Sequence, residues 1–171
     1  MKYGMNLLLW SGELNDEILP VLEQLKEMGY DGVEVPIFNT ELDYSAWGQR
    51  LDDLGLERTA VTVRNEEDNP ISPDPDNRAR GVAATCQVVD CCAALGATTL
   101  VGPYHSAIGI FSGQGPSQDE WNWGVDSMRQ VAEHAGQMKV TLAVECLNRF
   151  ETYLLNTHAD SSRFAREVDH P

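Results

Sequence analysis

The chain has 171 residues, with 12 Lys and Arg against 27 Asp and Glu, a formal net charge of −15 and 42% hydrophobic residues. That length and apolar content suffice for one domain with a real core, and the negative charge argues against nucleic acid as a partner. The start MKYGMNLLLW lacks a signal-peptide pattern, no apolar run is long enough to span a membrane, and Cys86, Cys91, Cys92 and Cys146 show no CxxC spacing, so no membrane association and a reduced, cytoplasmic location are expected.

Lys2 to Leu9 is a short, nearly continuous apolar run, the pattern of a strand buried on both faces. Ile18, Val21, Leu22, Leu25 and Met28 recur at helical spacing and Gly29 follows as a stop. GVEVP (Gly32 to Pro36) reads as a second strand, Leu42 to Leu54 as a helix ended by Gly55, and Glu57 to Val63 as a third strand. A loop rich in Asp, Asn and Pro leads into a long helix with the stripe Val82, Cys86, Val89 and Ala93, stopping near Gly96. Thr98 to Tyr104 is a fourth strand. Trp121, Val125, Met128 and Ala132 mark the next helix, Thr141 to Leu147 a fifth strand, and Ala159 to Val168 a fifth helix.

Strict alternation of strand and helix predicts an α/β fold with a parallel sheet covered by helices. Right-handed crossovers leave a doubly wound open sheet or a closed barrel, and no Gly-rich phosphate fingerprint supports the former. Five units average about 34 residues each, so eight need about 270, the usual size of a (β/α)₈ TIM barrel. The expectation is an incomplete barrel of about five βα units, one domain over residues 1–171, stopping before the sixth strand at a turn formed by Asp169, His170 and Pro171.

In such barrels the chemistry sits at the C-terminal ends of the strands. Period-two alternation puts Thr141, Ala143, Glu145 and Leu147 on one face of the fifth strand, with Leu142, Val144 and Cys146 on the other, suited to packing under helices. Glu145 then points into the barrel at its upper rim, where a carboxylate is costly unless paired or bound to metal. Glu151 follows six residues on in NRFETYLLNT, beside Arg149. Together these groups suit a metal and polyol hydroxyls; the plainer alternative is a solvated loop with a local Arg–Glu pair.

The stretch AVECLNRFETYLLNT resembles the fifth-strand signature of the D-tagatose/D-psicose 3-epimerase family, within the xylose-isomerase-like superfamily. GYDGVEVP, LGATTLVGPYHSA and the MKYGMNLLLW start are similar in kind and place, so the resemblance covers essentially the whole chain. It implies metal-dependent C3 epimerisation of a free ketose through an enediolate. Mn²⁺ is the implied ion, with Mg²⁺ or Co²⁺ as alternatives, held by Glu, Asp, His and Glu from the fifth to eighth strands. Glu145 maps onto the first ligand and proton carrier, and Glu151 onto the substrate-binding glutamate. The resemblance puts the other ligands and the second catalytic carboxylate after residue 171, so the chain alone is expected to be inactive. The first strand ends Asn6-Leu7-Leu8-Leu9 where the family tends to carry aromatics, which leaves the ketose open.

Trp10, and His105 with Ser106, fall where the substrate mouth belongs, against packing or loop roles; Glu34 is a similar candidate, against an internal ion pair. His158 and His170 read as surface residues, and Cys91 with Cys92 as core packing. The competing functions are a hydroxypyruvate-isomerase-like or inosose-dehydratase-like enzyme, and a non-catalytic half-barrel. Five barrel strands leave two unpaired edges and an uncovered interior, so a homo-oligomer, most simply a homodimer, is expected.

Overall fold

Side-chain caps and left-handed glycines divide the chain into alternating elements. In the computed structural model, which describes residues 1–170, Asp43 and Asp74 cap two helices, and Ser117–Glu120 and Thr157–Asp160 form capping boxes on two more. Gly55 and Gly96 close helices in the left-handed conformation, at φ 66° and 77°. The resulting order is β1 (Gly4–Asn6), α1 (Leu19–Glu27), β2 (Gly32–Pro36), α2 (Tyr44–Leu54), β3 (Glu57–Val61), α3 (Pro75–Leu95), β4 (Thr99–Gly102), α4 (Gln118–Met138), β5 (Thr141–Val144) and α5 (His158–Val168). The five strands pair in sequence order and in parallel, the arrangement of an incomplete barrel.

The register sets the two faces. Asn6, Glu34 and Thr59 lie side by side across β1, β2 and β3, and Val101 lies beside Ala143 across β4 and β5. The intervening residues Val33, Val35, Ala60 and Leu100 are buried in the core with Leu22, Leu51, Val89, Leu95 and Val131 of the helices. On β5 and just beyond it, Leu142, Val144 and Cys146 pack against the same core. Burying this outer face is the main stabilising term, roughly 25 cal/mol per Å² of apolar area. The opposite face, which would line a closed barrel, is open and polar where Glu34 and Thr59 stand half-buried.

Several boundaries differ from the sequence reading. The first strand ends at Asn6, because the Asn6 side chain accepts from Leu8 N–H (2.8 Å) and caps a 3₁₀ turn over Leu7–Leu9. Leu7 is buried, while Leu8 and Leu9 are exposed. The fifth strand ends at Val144. Glu145 N–H still bonds the Gly102 carbonyl (3.0 Å), but Leu147 N–H turns to Leu155 (3.2 Å) and folds the chain into its loop. On α3 the buried stripe is Gly81, Thr85, Val88, Val89, Cys92 and Leu95, so Val82, Cys86 and Ala93 are only partly covered. Small residues let α3 lie close to its neighbours: Thr85 Oγ1 is absorbed by the Gly81 carbonyl (2.8 Å), and a Cβ at Gly81 would overlap the Asp68 carbonyl. Of the expected turn at Asp169, His170 and Pro171, the last residue lies outside the described residues. No helix among those described is long and apolar enough to cross a membrane.

Gly102 ends β4 at φ 137°, and a Cβ there would overlap the Thr62 carbonyl oxygen, so any side chain collides with backbone. Gly102→Ala is expected to lower the urea unfolding free energy by roughly 2 kcal/mol or more, read as a fall in denaturation midpoint at unchanged m-value.

Candidate active site

On the open face Asn6 ends β1, while Glu34 and Thr59 sit at the centres of β2 and β3. Asn6 Nδ2 donates to Glu34 Oε1 (2.8 Å) and Thr59 Oγ1 to Glu34 Oε2 (3.2 Å), so the carboxylate is held by neighbouring strands. The partners expected for an internal ion pair are replaced by two neutral donors. Partial burial raises the Glu34 carboxyl pKa, and the Thr59 and Asn6 hydrogen bonds oppose that rise.

Glu145 follows β5 directly and is exposed at the open face. Its carboxyl pKa is raised, first by desolvation and then by the negative charges of Glu34 and Glu151. Glu34, Glu145 and Glu151 therefore share one electrostatic environment, although Glu34 sits mid-strand in β2 and the other two follow β5. Glu151 is exposed, accepts from Asn148 Nδ2, and its backbone carbonyl is held by Gly109 N–H (2.8 Å). Arg149 is not paired with it; the guanidinium lies over the Phe150 ring, 5.6 Å from its centroid.

Trp10 caps the 3₁₀ turn after β1, its N–H bonded to the Leu7 carbonyl (2.9 Å), with 48% of its surface exposed. Phe38, after β2, and Phe150, after β5, are exposed as well, so this rim of the sheet is rich in aromatic surface. His158 is exposed at the start of α5, and His170 packs near Glu133 with Nε2 3.5 Å from a carboxylate oxygen.

His105 departs from expectation. The sequence puts it at the substrate mouth, yet it is fully buried and cannot meet a ligand in this conformation. Nε2 lies 3.0 Å from the Glu145 carbonyl oxygen and Nδ1 3.0 Å from Ser106 Oγ, which in turn lies 3.0 Å from Thr152 Oγ1. Burial drives the imidazole pKa down to about 4, against a smaller raising effect of the Glu145 carbonyl, so the ring is neutral at physiological pH. A carbonyl only accepts, so Nε2 carries the hydrogen and Nδ1 accepts from Ser106. Sequence spacing missed this because a polar His-Ser pair after a strand reads equally as mouth or buried bracket.

Five parallel strands paired in sequence order and alternating with helices define an α/β barrel arrangement, the class whose sites lie at the C-terminal strand ends. The family profile described as xylose isomerase-like TIM barrel matches residues 22–171, and the chain belongs to that family. It is similar to the L-ribulose 3-epimerase of Mesorhizobium japonicum, 30% identical over 170 residues that take in 98% of this chain and 57% of that protein. The D-psicose 3-epimerase of Agrobacterium fabrum is 27% identical over 173 residues, 98% of this chain and 60% of that one. The crystal structure of a Methylomonas D-allulose 3-epimerase in complex with D-allulose superposes with a TM-score of 0.92 at 25% identity, covering all of this chain and 60% of that structure. The chain thus spans about 60% of the length of the curated relatives it matches.

The depressed His105 pKa makes stability pH-dependent. The unfolded chain takes up a proton near pH 6.5 that the folded ring accepts only near pH 4, so stability is fully present above pH 6.5 and is lost as pH falls toward 4. This one group accounts for about 2 to 3 kcal/mol between pH 7 and pH 4. Urea midpoints measured over that range should fall in the wild type, and His105→Gln should visibly flatten the slope.

Proposed function

We propose that these 171 residues form one domain that contributes part of the active site of a ketose 3-epimerase, with Glu145 as metal ligand and proton carrier. The observation that carries this reading is the Glu145 carboxylate: it directly follows β5 on the open face, with its pKa raised by partial desolvation and by two neighbouring glutamates. The known activities of similar ketose 3-epimerases support the substrate class, a small ketose.

A carboxylate whose pKa is raised holds a proton more strongly than an ordinary glutamate and so is a better proton acceptor. Glu145 takes the C3 proton from one face of the ketose. Glu151, on the next loop, accepts hydrogen bonds from polyol hydroxyls, and Trp10 offers an apolar surface to the C–H face of the sugar. Carboxylate oxygens suit a hard cation. Among the described residues no group of three His, Cys, Asp or Glu is placed to hold an ion, and Glu145 is the ligand proposed from this chain. When bound there, a divalent cation, Mn²⁺ first with Mg²⁺ or Co²⁺ as alternatives, supplies Lewis-acid polarisation of the ketose carbonyl.

Inversion at C3 also needs a second acid on the opposite face of the substrate. Five strands leave the ring open, and in an eight-stranded barrel that acid belongs on strands that close it. We therefore expect the 171-residue protein alone to turn over no ketose. The unpaired edges of β1 and β5 and the open face favour self-association, most simply as a homodimer. The four free cysteines suit a reducing cytoplasm.

The test uses the purified chain. D-fructose, D-tagatose and D-psicose with Mn²⁺ should remain unconverted, and sedimentation at micromolar concentration should give a dimer. Calorimetric Mn²⁺ binding, weak in the wild type, should disappear in Glu145→Gln. The urea unfolding free energy of that variant should hold or rise, by under about 1 kcal/mol because the site is exposed. Steady epimerisation, a stable monomer, or Mn²⁺ affinity unchanged by Glu145→Gln would each overturn the corresponding part.

A further inference from the structure

We infer that His105, Ser106 and Thr152 form a buried positioning relay that fixes Glu145 and Glu151 relative to one another, rather than a set of substrate contacts. The functional consequence rests on the role proposed for Glu145; the relay itself rests on geometry.

All three side chains are buried, at 0%, 1% and 1% exposure. Every side-chain polar hydrogen of the three has an acceptor within reach. Thr152 Oγ1–H is free to donate to Ser106 Oγ, Ser106 Oγ–H donates to His105 Nδ1, and His105 Nε2–H donates to the Glu145 carbonyl. The order runs one way, because the terminal carbonyl accepts and cannot donate. One end of the relay is the backbone of Glu145, and the other is the residue next to Glu151. Loop β4–α4 thereby brackets the β5 end and the loop that follows it. Gly109 N–H to the Glu151 carbonyl (2.8 Å) adds a second tie from the same loop.

The surroundings keep the ring in place. Phe164 of α5 packs tilted against the imidazole with centroids 6.1 Å apart, and Trp121 of α4 meets Phe164 edge-on at 5.5 Å. Rotation of the imidazole would break two hydrogen bonds in a fully buried site, leaving polar groups unsatisfied. The relay thus converts core packing into the placement of two acidic side chains on the open face. Chains of this kind behind metal-ligating residues affect affinity without touching the ion.

The experiment is NMR on the full 171-residue protein, with Thr152→Val as the main variant because it removes one hydroxyl at nearly constant shape. In the wild type, the His105 ¹⁵N resonances should report the Nε2–H tautomer, with through-hydrogen-bond coupling to the Glu145 carbonyl carbon. Thr152→Val, although it does not touch the imidazole, should shift the His105 Nδ1 resonance and speed amide exchange at Glu145 and Glu151 at least about tenfold. Ser106→Ala should do the same, and His105→Gln, which keeps a donor toward the Glu145 carbonyl, should perturb Glu145 less than His105→Leu. Titration with Mn²⁺ as probe should show affinity reduced about tenfold in Thr152→Val. An Nδ1–H tautomer in the wild type, or His105 and Glu145 signals unmoved by both Thr152→Val and Ser106→Ala, overturns the relay. Should Mn²⁺ fail to bind the wild type, the proposed function fails while the tautomer and exchange data still decide the relay.

Discussion

The alternation of side chains along five parallel strands in one fixed register governs both the core and the site. A strand shifted by one residue would exchange its two faces. Here that would carry Val33, Val35 and Leu100 out of the helix layer, where they are almost fully buried, and force Glu34 into it. The apolar burial of the outer face is therefore what holds Asn6, Glu34 and Thr59 in a row on the open one. The same parity, continued past β5 by the Glu145 N–H bond to Gly102, puts Cys146 against the core and leaves the Glu145 carboxylate exposed. The stability of the hydrophobic layer and the position of the acidic groups are one constraint.

Loop β4–α4 transmits that constraint across the top of the sheet. Ala107 N–H is held by Asn69 Oδ1 (3.0 Å), Ile108 N–H by the Arg64 carbonyl (3.1 Å), and His105 and Gly109 reach β5 and its loop. Arg64, itself nearly buried, bonds Asp68 and Thr62, and Thr62 Oγ1 donates to the Ile37 carbonyl (2.9 Å). A continuous set of hydrogen bonds thus runs from the end of β2 to the segment after β5. Burial makes each of these bonds expensive to lose, which is how flexible-looking loops, rich in Asn, Asp and Gly, come to hold the segment carrying Glu145 and Glu151 in place.

Much of this architecture is legible in the sequence. GVEVP is a strand over the residues expected, Gly55 and Gly96 end their helices, and the α4 stripe Trp121, Val125, Met128 and Ala132 is buried throughout. Periodicity reports these elements because burial on one side is what creates the period. It fails where a single side chain competes with the ladder, as Asn6 does in ending β1, and on α3, where small residues such as Gly81 and Thr85 make the contact in place of large apolar ones. His105 was invisible for a different reason. Its partners are a carbonyl forty positions away and a hydroxyl pair, and nothing in local spacing distinguishes a buried bracket from a ligand contact.

The placement of Glu145 as a cation-binding carboxylate on the open face is tested most directly by anomalous diffraction from a crystal of the 171-residue protein soaked in Mn²⁺. The expected map has a manganese peak within coordinating distance of the Glu145 carboxylate, on the face of the sheet that carries Glu34 and Thr59. A well-ordered Glu145 with its strongest manganese peak elsewhere on the molecule, or a Glu145 side chain directed into the helix layer, would contradict it.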